Sequence, residues 1–281
     1  MNKAEGKISI FSDVKKLIQD NKRLVKMSLI GVAAVVLLIV LLLSPLCGIR
    51  KIETTAMEHY TQEDLAVHLE DVMHRNGFLA VADQTSLHQS ASIFSMRLSE
   101  SEERMLFELP YLESVEIRYA FPNKVKISVT ERQASFLLEH YGIYILVDTH
   151  GVVLETFTQE DCPDMPVVKG VEFDTYKVGV SIRQKQDVHI DTAIGLCNMM
   201  QQLSMSAYID IIDVTDYNDI KLYCAPSLTI LFGNGTNVGM RLTELKGILD
   251  SNLNGDSNGV LDMRSGGHTF FTKNETLEEQ T

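Results

Sequence analysis

Asp250, Asn252, Asn254 and Gly255 follow one another in "DSNLNGDSNGVLD" at the spacing that opens a calcium-binding loop. Such a loop needs a bidentate carboxylate at its twelfth position, which here is Leu261, with Asp262 one residue late. The stretch therefore reads as a helix-to-strand turn, for which Asn, Asp and Gly have backbone reasons. Gly233, Gly235 and Gly239 in "FGNGTNVG" fail in a similar way. A dinucleotide fingerprint places its third glycine one residue earlier and inside a parallel βαβ unit. His68 and His74 are six apart and face different sides of a helix, and none of the eight histidines has zinc spacing. Serine, histidine and aspartate are all present without a nucleophile-elbow pattern. Paired acids such as Glu102-Glu103 fit a solvated helix face. No catalytic set, metal or cofactor is expected, and no small-molecule substrate.

The remaining chemistry is that of backbone recognition. An alternating strand at the edge of a sheet presents unpaired N–H and C=O groups to a partner strand. The strand predicted over His268, Thr269, Phe270 and Phe271 is the candidate. Phe270 and Phe271 would anchor a partner, and Thr269 would help set register. Gly266, Gly267 and the charged tail could equally protect that edge.

These residues need elements to hold them. "IRKIETTA" at 49–56 alternates as a strand. Thr61 with Asp64 forms a capping-box pattern ahead of an apolar stripe of Leu65, Leu69, Val72 and Met73, predicting one helix that Gly77 ends. Residues 78–99 give no clear element. A second helix is expected from Glu100 to Glu108, before Pro110, followed by strands Val115–Tyr119 and Val125–Glu131. Beyond Ala134, "FLLEHYGIYILVDTHGVVLET" reads as three short strands, and "MPVVKGV" and "VGVSI" as further ones. Helices are predicted over Asp187–Met205 and Val238–Leu253, among and after strands at "IDIIDVTD", "DIKLYC" and "LTILFG". Two last strands, Val260–Met263 and His268–Phe271, close the chain.

Ahead of all this, Met27 to Cys47 contains no charged residue. As a helix it would be about 31 Å long at ~1.5 Å per residue, the thickness of a bilayer core. Lys3, Lys7, Lys15, Lys16, Lys22, Arg23 and Lys26 precede it against only Glu5, Asp13 and Asp20, while the whole chain carries a net charge of −13. The basic side stays in the cytoplasm, so the N-terminus is expected inside and the bulk outside, a single-pass type II arrangement. Arg50 and Lys51 oppose this and are outnumbered. A cleaved signal would be shorter, and Leu46 before Cys47 departs from a lipoprotein site. The acidic exterior excludes nucleic acid as an expected partner. Of the four cysteines, Cys162, Cys197 and Cys224 would lie outside, and their pairing is left open.

The fold class expected is α+β: one N-terminal transmembrane helix, a small β-α-α-β-β domain, then a mostly antiparallel β domain with two helices. "VEIRYAFPNKVKISVTER" resembles the closing strands of a POTRA domain of the FtsQ/DivIB cell-division family, at Arg118, Pro122, Glu131 and Arg132. "YILVDTHGVVL" and Gly259–Arg264, "GVLDMR", look like that family's β domain. A departure is "TTAMEHY", where the family often has Gly-Asn after the first strand. The resemblance implies a basic cytoplasmic tail over 1–26, a span over 27–47, a POTRA domain over 48–133, an FtsQ-type β domain over 134–271 and an acidic tail over 272–281. It implies a non-enzymatic divisome scaffold at the septum that binds FtsB/DivIC-type and FtsL-type partners and helps control septal peptidoglycan synthesis. The alternatives are a POTRA-bearing protein of a translocation or assembly system and a membrane-anchored envelope enzyme.

Overall fold

The structure is a computed structural model that describes residues 22–84, 96–182, 188–224, 227–253, 258–265 and 269–273. The chain divides into two compact units. The first takes residues up to Ala56, Tyr60–Glu103 and Glu116–Ser128; the second takes Met57–His59, Arg104–Val115 and Val129 onward.

The first unit opens with α1, Lys22–Leu42, a 21-residue helix. Its described apolar side chains point outward, Leu29, Ile30 and Leu37 each about two-thirds exposed. A 3-10 turn, Pro45–Cys47, follows because proline at its first position suits a helix start but cannot continue α1. Among the described residues no helix is long and apolar enough to cross a membrane. Helix α1 carries Arg23 and Lys26 near its start and no charged side chain from Met27 to Leu42, a stretch of about 24 Å at ~1.5 Å per residue. The span expected over 27–47 is thus broken by a turn rather than one continuous helix.

Strand β1, Lys51–Thr54, lies parallel to β3, Lys124–Glu131, with Ile52 opposite Val125, and β2, Leu112–Ala120, completes a sheet of order β1-β3-β2. The capping box at Thr61 and Asp64 is present, and hydrogen bonds from Thr61 N and Oγ1 to Asp64 Oδ2 hold that carboxyl below its ordinary pKa. The helix it starts is shorter than predicted. Helix α2 is Gln62–Val67, and a separate α3 spans Gly77–Gln84, where no element was expected. The backbone of 74–75 is claimed instead by Ile49, whose N–H donates to Arg75 O and whose carbonyl accepts from His74. Asn76 then starts α3, its Oδ1 accepting from Phe78 and Leu79 N–H as an N-cap does. Gly77 is needed because a Cβ there would meet the Tyr119 ring at 2.1 Å. A pattern read as a helix stop is a helix start. Helix α4, Ser99–Glu108, matches the second predicted helix. The region is therefore β-α-α-α-β-β among its described elements, not β-α-α-β-β.

The second unit is built on a nine-stranded sheet. Its strands are β4 Ala134–His140, β5 Ile143–Asp148, β6 Val153–Phe157, β7 Val167–Lys169, β8 Ile211–Asp213, β9 Ile220–Cys224, β10 Leu228–Gly233, β11 Gly259–Asp262 and β12 Phe270–Lys273. The order is β12-β11-β10-β9-β8-β7-β4-β5-β6. Hairpin neighbours are antiparallel, but β10–β11, β7–β8 and β4–β7 are parallel, so the sheet is more mixed than predicted. "VGVSI" forms no strand; its part is an isolated bridge from Ser181 to Val152. Helices α5, Val188–Gln202, and α6, Val238–Ile248, were both expected. Their Ile190, Cys197, Met200, Leu242 and Leu245 pack with Phe136, Leu138 and Ile230 in the main core. Leu137, Leu146 and Leu154 form a smaller cluster from the alternate strand positions.

Candidate partner-binding site

Strand β12 is the last strand on one side of the nine-stranded sheet. It pairs antiparallel with β11, Leu261 opposite Phe271 and Asp262 opposite Phe270. All four of its residues are exposed, Phe270 at 59% and Phe271 at 42%. The close approach of β12 requires Gly259, where a Cβ would stand 2.4 Å from Thr272 O and 2.8 Å from the Phe271 ring.

Three contacts fix this edge from behind. Thr269 Oγ1 donates to Glu244 Oε1 on α6 at 3.0 Å. Arg241, also on α6, stacks over the Phe232 ring at 4.5 Å and donates to Met263 O at 3.0 Å. Asp262, at the end of β11, accepts from Arg264 N and Nε on Oδ1, both at 3.0 Å, and from Nη2 on Oδ2 at 2.7 Å. Those side-chain and backbone bonds hold the Asp262 carboxyl down at about 2. The edge strand is therefore presented on a braced support.

The strand differs from expectation in its bounds. It runs Phe270–Lys273, two residues later than predicted, because Phe270 pairs with Asp262, where β11 ends. His268 lies outside the described residues. Thr272 and Lys273, passed over in the sequence, belong to the exposed strand. Glu244, Gly259 and the Asp262–Arg264 pair were also missed; only the "GVLDMR" stretch had marked their neighbourhood.

The opposite edge is less open. On β6, Val153 N–H donates to Val180 O at 3.1 Å and Val153 O accepts from Gly179 N at 2.8 Å, so the 179–182 loop covers its start.

The four family-pattern residues are not gathered at β12. Arg118 pairs with Glu116 at 2.6 Å, and Pro122 follows a cis peptide bond in the β2–β3 turn, both in the first unit. Glu131 accepts from the backbone N–H of Glu58 at 2.7 Å and His59 at 3.1 Å, tying that segment down in the second unit. Arg132 Nη1 donates to Asp148 Oδ2 at 2.9 Å, and the Asp148 side chain is only 1% exposed. Glu131 and Arg132 thus do structural work at the entry to the β4–β5–β6 meander.

Among the described residues no group of three or more His, Cys, Asp or Glu is placed to hold a metal. All four cysteines are free thiols. Burial pushes the Cys162 and Cys197 thiols up, and pushes Cys224 up to about 12 with help from Asp210. Protonated thiols are poor nucleophiles.

Residues 48–132 match the family model for the POTRA domain, FtsQ-type. That segment holds β1, α2, α3, α4, β2 and β3. The cell division protein DivIB of Clostridium acetobutylicum is 23% identical over 197 residues, covering 68% of this chain and 76% of that protein. DivIB of Clostridium tetani is 22% identical over 172 residues, covering 60% and 63%. The cell division protein FtsQ of Koribacter versatilis is 26% identical over 134 residues, covering 47% and 37%. The chain thus carries an FtsQ-type POTRA segment and is similar to cell division proteins named DivIB and FtsQ. The matched segment takes in the first unit from residue 48 onward together with 57–59, 104–115 and 129–132 of the second, and β12 lies outside it.

Proposed function

We propose that this chain is a non-enzymatic, bitopic scaffold of the bacterial division complex, of FtsQ/DivIB type, and that β12 receives a strand from a partner of FtsB/DivIC type, with an FtsL-type protein in the same assembly. The observation that carries the reading is β12 itself: an edge strand with all four residues exposed, two of them phenylalanines, braced from α6. Backbone bonds supply the affinity and the phenylalanines supply anchoring. Its role is to place those partners at the septum, where septal peptidoglycan synthesis is controlled.

The membrane reading rests on sequence. The charge-free run continues past α1 through Pro45–Cys47, and Arg23 and Lys26 can snorkel their stems toward the inner face. Anchoring there puts the chain from residue 48 onward on the outer side.

The test is Phe270→Pro in the full chain, co-purified with the FtsB/DivIC-type and FtsL-type proteins of the same bacterium. Loss of binding with an unchanged circular-dichroism spectrum is the expected result. Phe271→Glu, which keeps every backbone donor, should weaken binding less. Unchanged binding by both variants would sink the strand-addition reading.

A further inference from the structure

A groove lies where α1 meets the three-stranded sheet of the first unit. Leu41, Leu46, Phe121 and Pro122 supply its apolar wall, and Arg50 and Asn123 its polar end, around a cavity of about 280 Å³. The frame of the groove is tied together. Asn76 Nδ2 donates to Leu42 O at 2.9 Å and to Ser44 O at 3.3 Å, which fastens the end of α1 to the start of α3. Asn123 O accepts from Arg50 N at 2.9 Å and from Lys51 N at 3.2 Å, which fastens the entry to β1 to the β2–β3 turn. The Tyr119 hydroxyl bonds Cys47 O and Pro122 O and so joins the two walls.

The two ends of the groove differ in chemistry. Leu46 is 68% exposed and Phe121 61%, and they continue the exposed apolar side chains of α1. Contiguous apolar surface of this kind marks a face that something apolar covers. At the other end, the Arg50 guanidinium meets no carboxylate among the described residues, and its one hydrogen bond there, from Nη2 to Pro45 O, is 3.4 Å long. By contrast Arg75, Arg97 and Arg118 of the same unit pair with Asp83, Glu102 and Glu116 at 2.6–2.8 Å. No acidic residue lines the groove among the described residues. Arg50 and Lys51 are also the two basic residues that stand against the positive-inside pattern of the charge-free run. An anion held there gives them a reason to break it.

We propose that this groove seats the headgroup phosphate of one anionic phospholipid from the outer leaflet, with its acyl chains laid along α1. A guanidinium takes a phosphodiester through two parallel N–H···O bonds, and the Asn123 amide offers a further donor. Lys51, beside Arg50, adds the second positive charge that favours an anionic headgroup over a zwitterionic one. The groove has room for the phosphate, the glycerol and the first methylenes; the rest of the chains need an apolar surface, which α1 supplies. That the lipid comes from the outer leaflet rests on the membrane reading of residues 27–47; the pairing of a phosphodiester with an apolar chain does not.

The experiment uses the full chain in dodecyl maltoside, stripped of lipid and titrated with dioleoylphosphatidylglycerol, bound lipid being counted by native mass spectrometry. One firmly held lipid per chain is expected. Dioleoylphosphatidylcholine, dioleoylglycerol and glycerol phosphate, which lack the net charge, the phosphate and the chains respectively, should each bind more weakly. Arg50→Gln should weaken phosphatidylglycerol binding about tenfold, and Phe121→Ser by a few-fold. Both side chains are exposed, so these variants keep their fold, checked by circular dichroism. Arg75→Gln, outside the groove, should change nothing. No retained lipid, equal binding of any comparison compound, indifference to Arg50→Gln, or an equal loss in Arg75→Gln would each overturn the seat. Loss of a co-purifying partner from Phe121→Ser with lipid binding intact would give the groove to that partner and overturn it too. Carbonate extraction of cell membranes tests the span separately: release of the chain would overturn the outer-leaflet source, while the titration in detergent still decides the phosphodiester site. Failure of Phe270→Pro to affect partner binding bears on β12 alone.

Discussion

Arg132→Met removes one half of a buried pair and keeps the aliphatic stem. Deleting one member of a buried ion pair costs about 3–5 kcal/mol, because the other charge is left behind. Here two features reduce the figure. Asp148 Oδ1 still accepts from His150 N at 2.8 Å and Val152 N at 2.7 Å, and the Arg132 side chain is 19% exposed, so water can reach the vacated position. The expected loss is therefore about 2–3 kcal/mol. In a second unit of this size that lowers the melting temperature by roughly 4–12 °C, at ~2–4 °C per kcal/mol. Thermal unfolding of the full chain measures it, and hydrogen exchange at His150 and Val152 should quicken first. Adding Asp148→Asn to Arg132→Met should cost less than the sum of the single changes, since the stranded charge is gone. A shift within about 1 °C for Arg132→Met would refute the assignment of Arg132 as the counter-charge that makes the β5–β6 turn stable.

Gly77→Ala should cost about 1–3 kcal/mol in the first unit, because the new methyl overlaps a Tyr119 ring. That ring is 5% exposed and its hydroxyl bonds Cys47 O and Pro122 O, so it has little room to yield; an unchanged melting temperature would contradict this. The Asp262 carboxyl should titrate at about 2 by carbon-detected NMR. Because its folded pKa is depressed, its contribution to holding the end of β11 is present above the ordinary aspartate range and is lost as pH falls toward about 2. Arg264→Gln should return the titration to that ordinary range; an Asp262 that still titrates at about 2 in this variant would show another cause.

What the sequence made legible follows from where the signals sit. The β4–β5 hairpin, α5 and α6 each lie within one unbroken stretch of sequence, and the Thr61–Asp64 capping box is complete within four residues. Helix α3 was hidden because Asn76-Gly77 reads equally as a stop or a start. The choice is made by Ile49, which pairs with residues 74–75 from a distant part of the chain. The parallel pairings of β7 with β4 and β8 leave no turn signature, so a mixed sheet looks antiparallel from its hairpins alone. At the candidate site, the phenylalanine pair marked the edge strand. The bond from Thr269 to Glu244 and the fit of Phe271 over Gly259 could not be read, because neither leaves a pattern in the sequence. The Glu131-Arg132 pair was legible as a family mark, but its work, clamping 58–59 and neutralising Asp148, appears only in three dimensions.

The central claim is that this chain acts as a scaffold at the site of division. A fluorescent protein fused to the N-terminal tail and imaged in dividing cells of its own bacterium tests it most directly. A band at mid-cell during septation is the expected result. A uniform signal around the envelope through the whole cycle would contradict it and leave the POTRA segment as a likeness of fold alone.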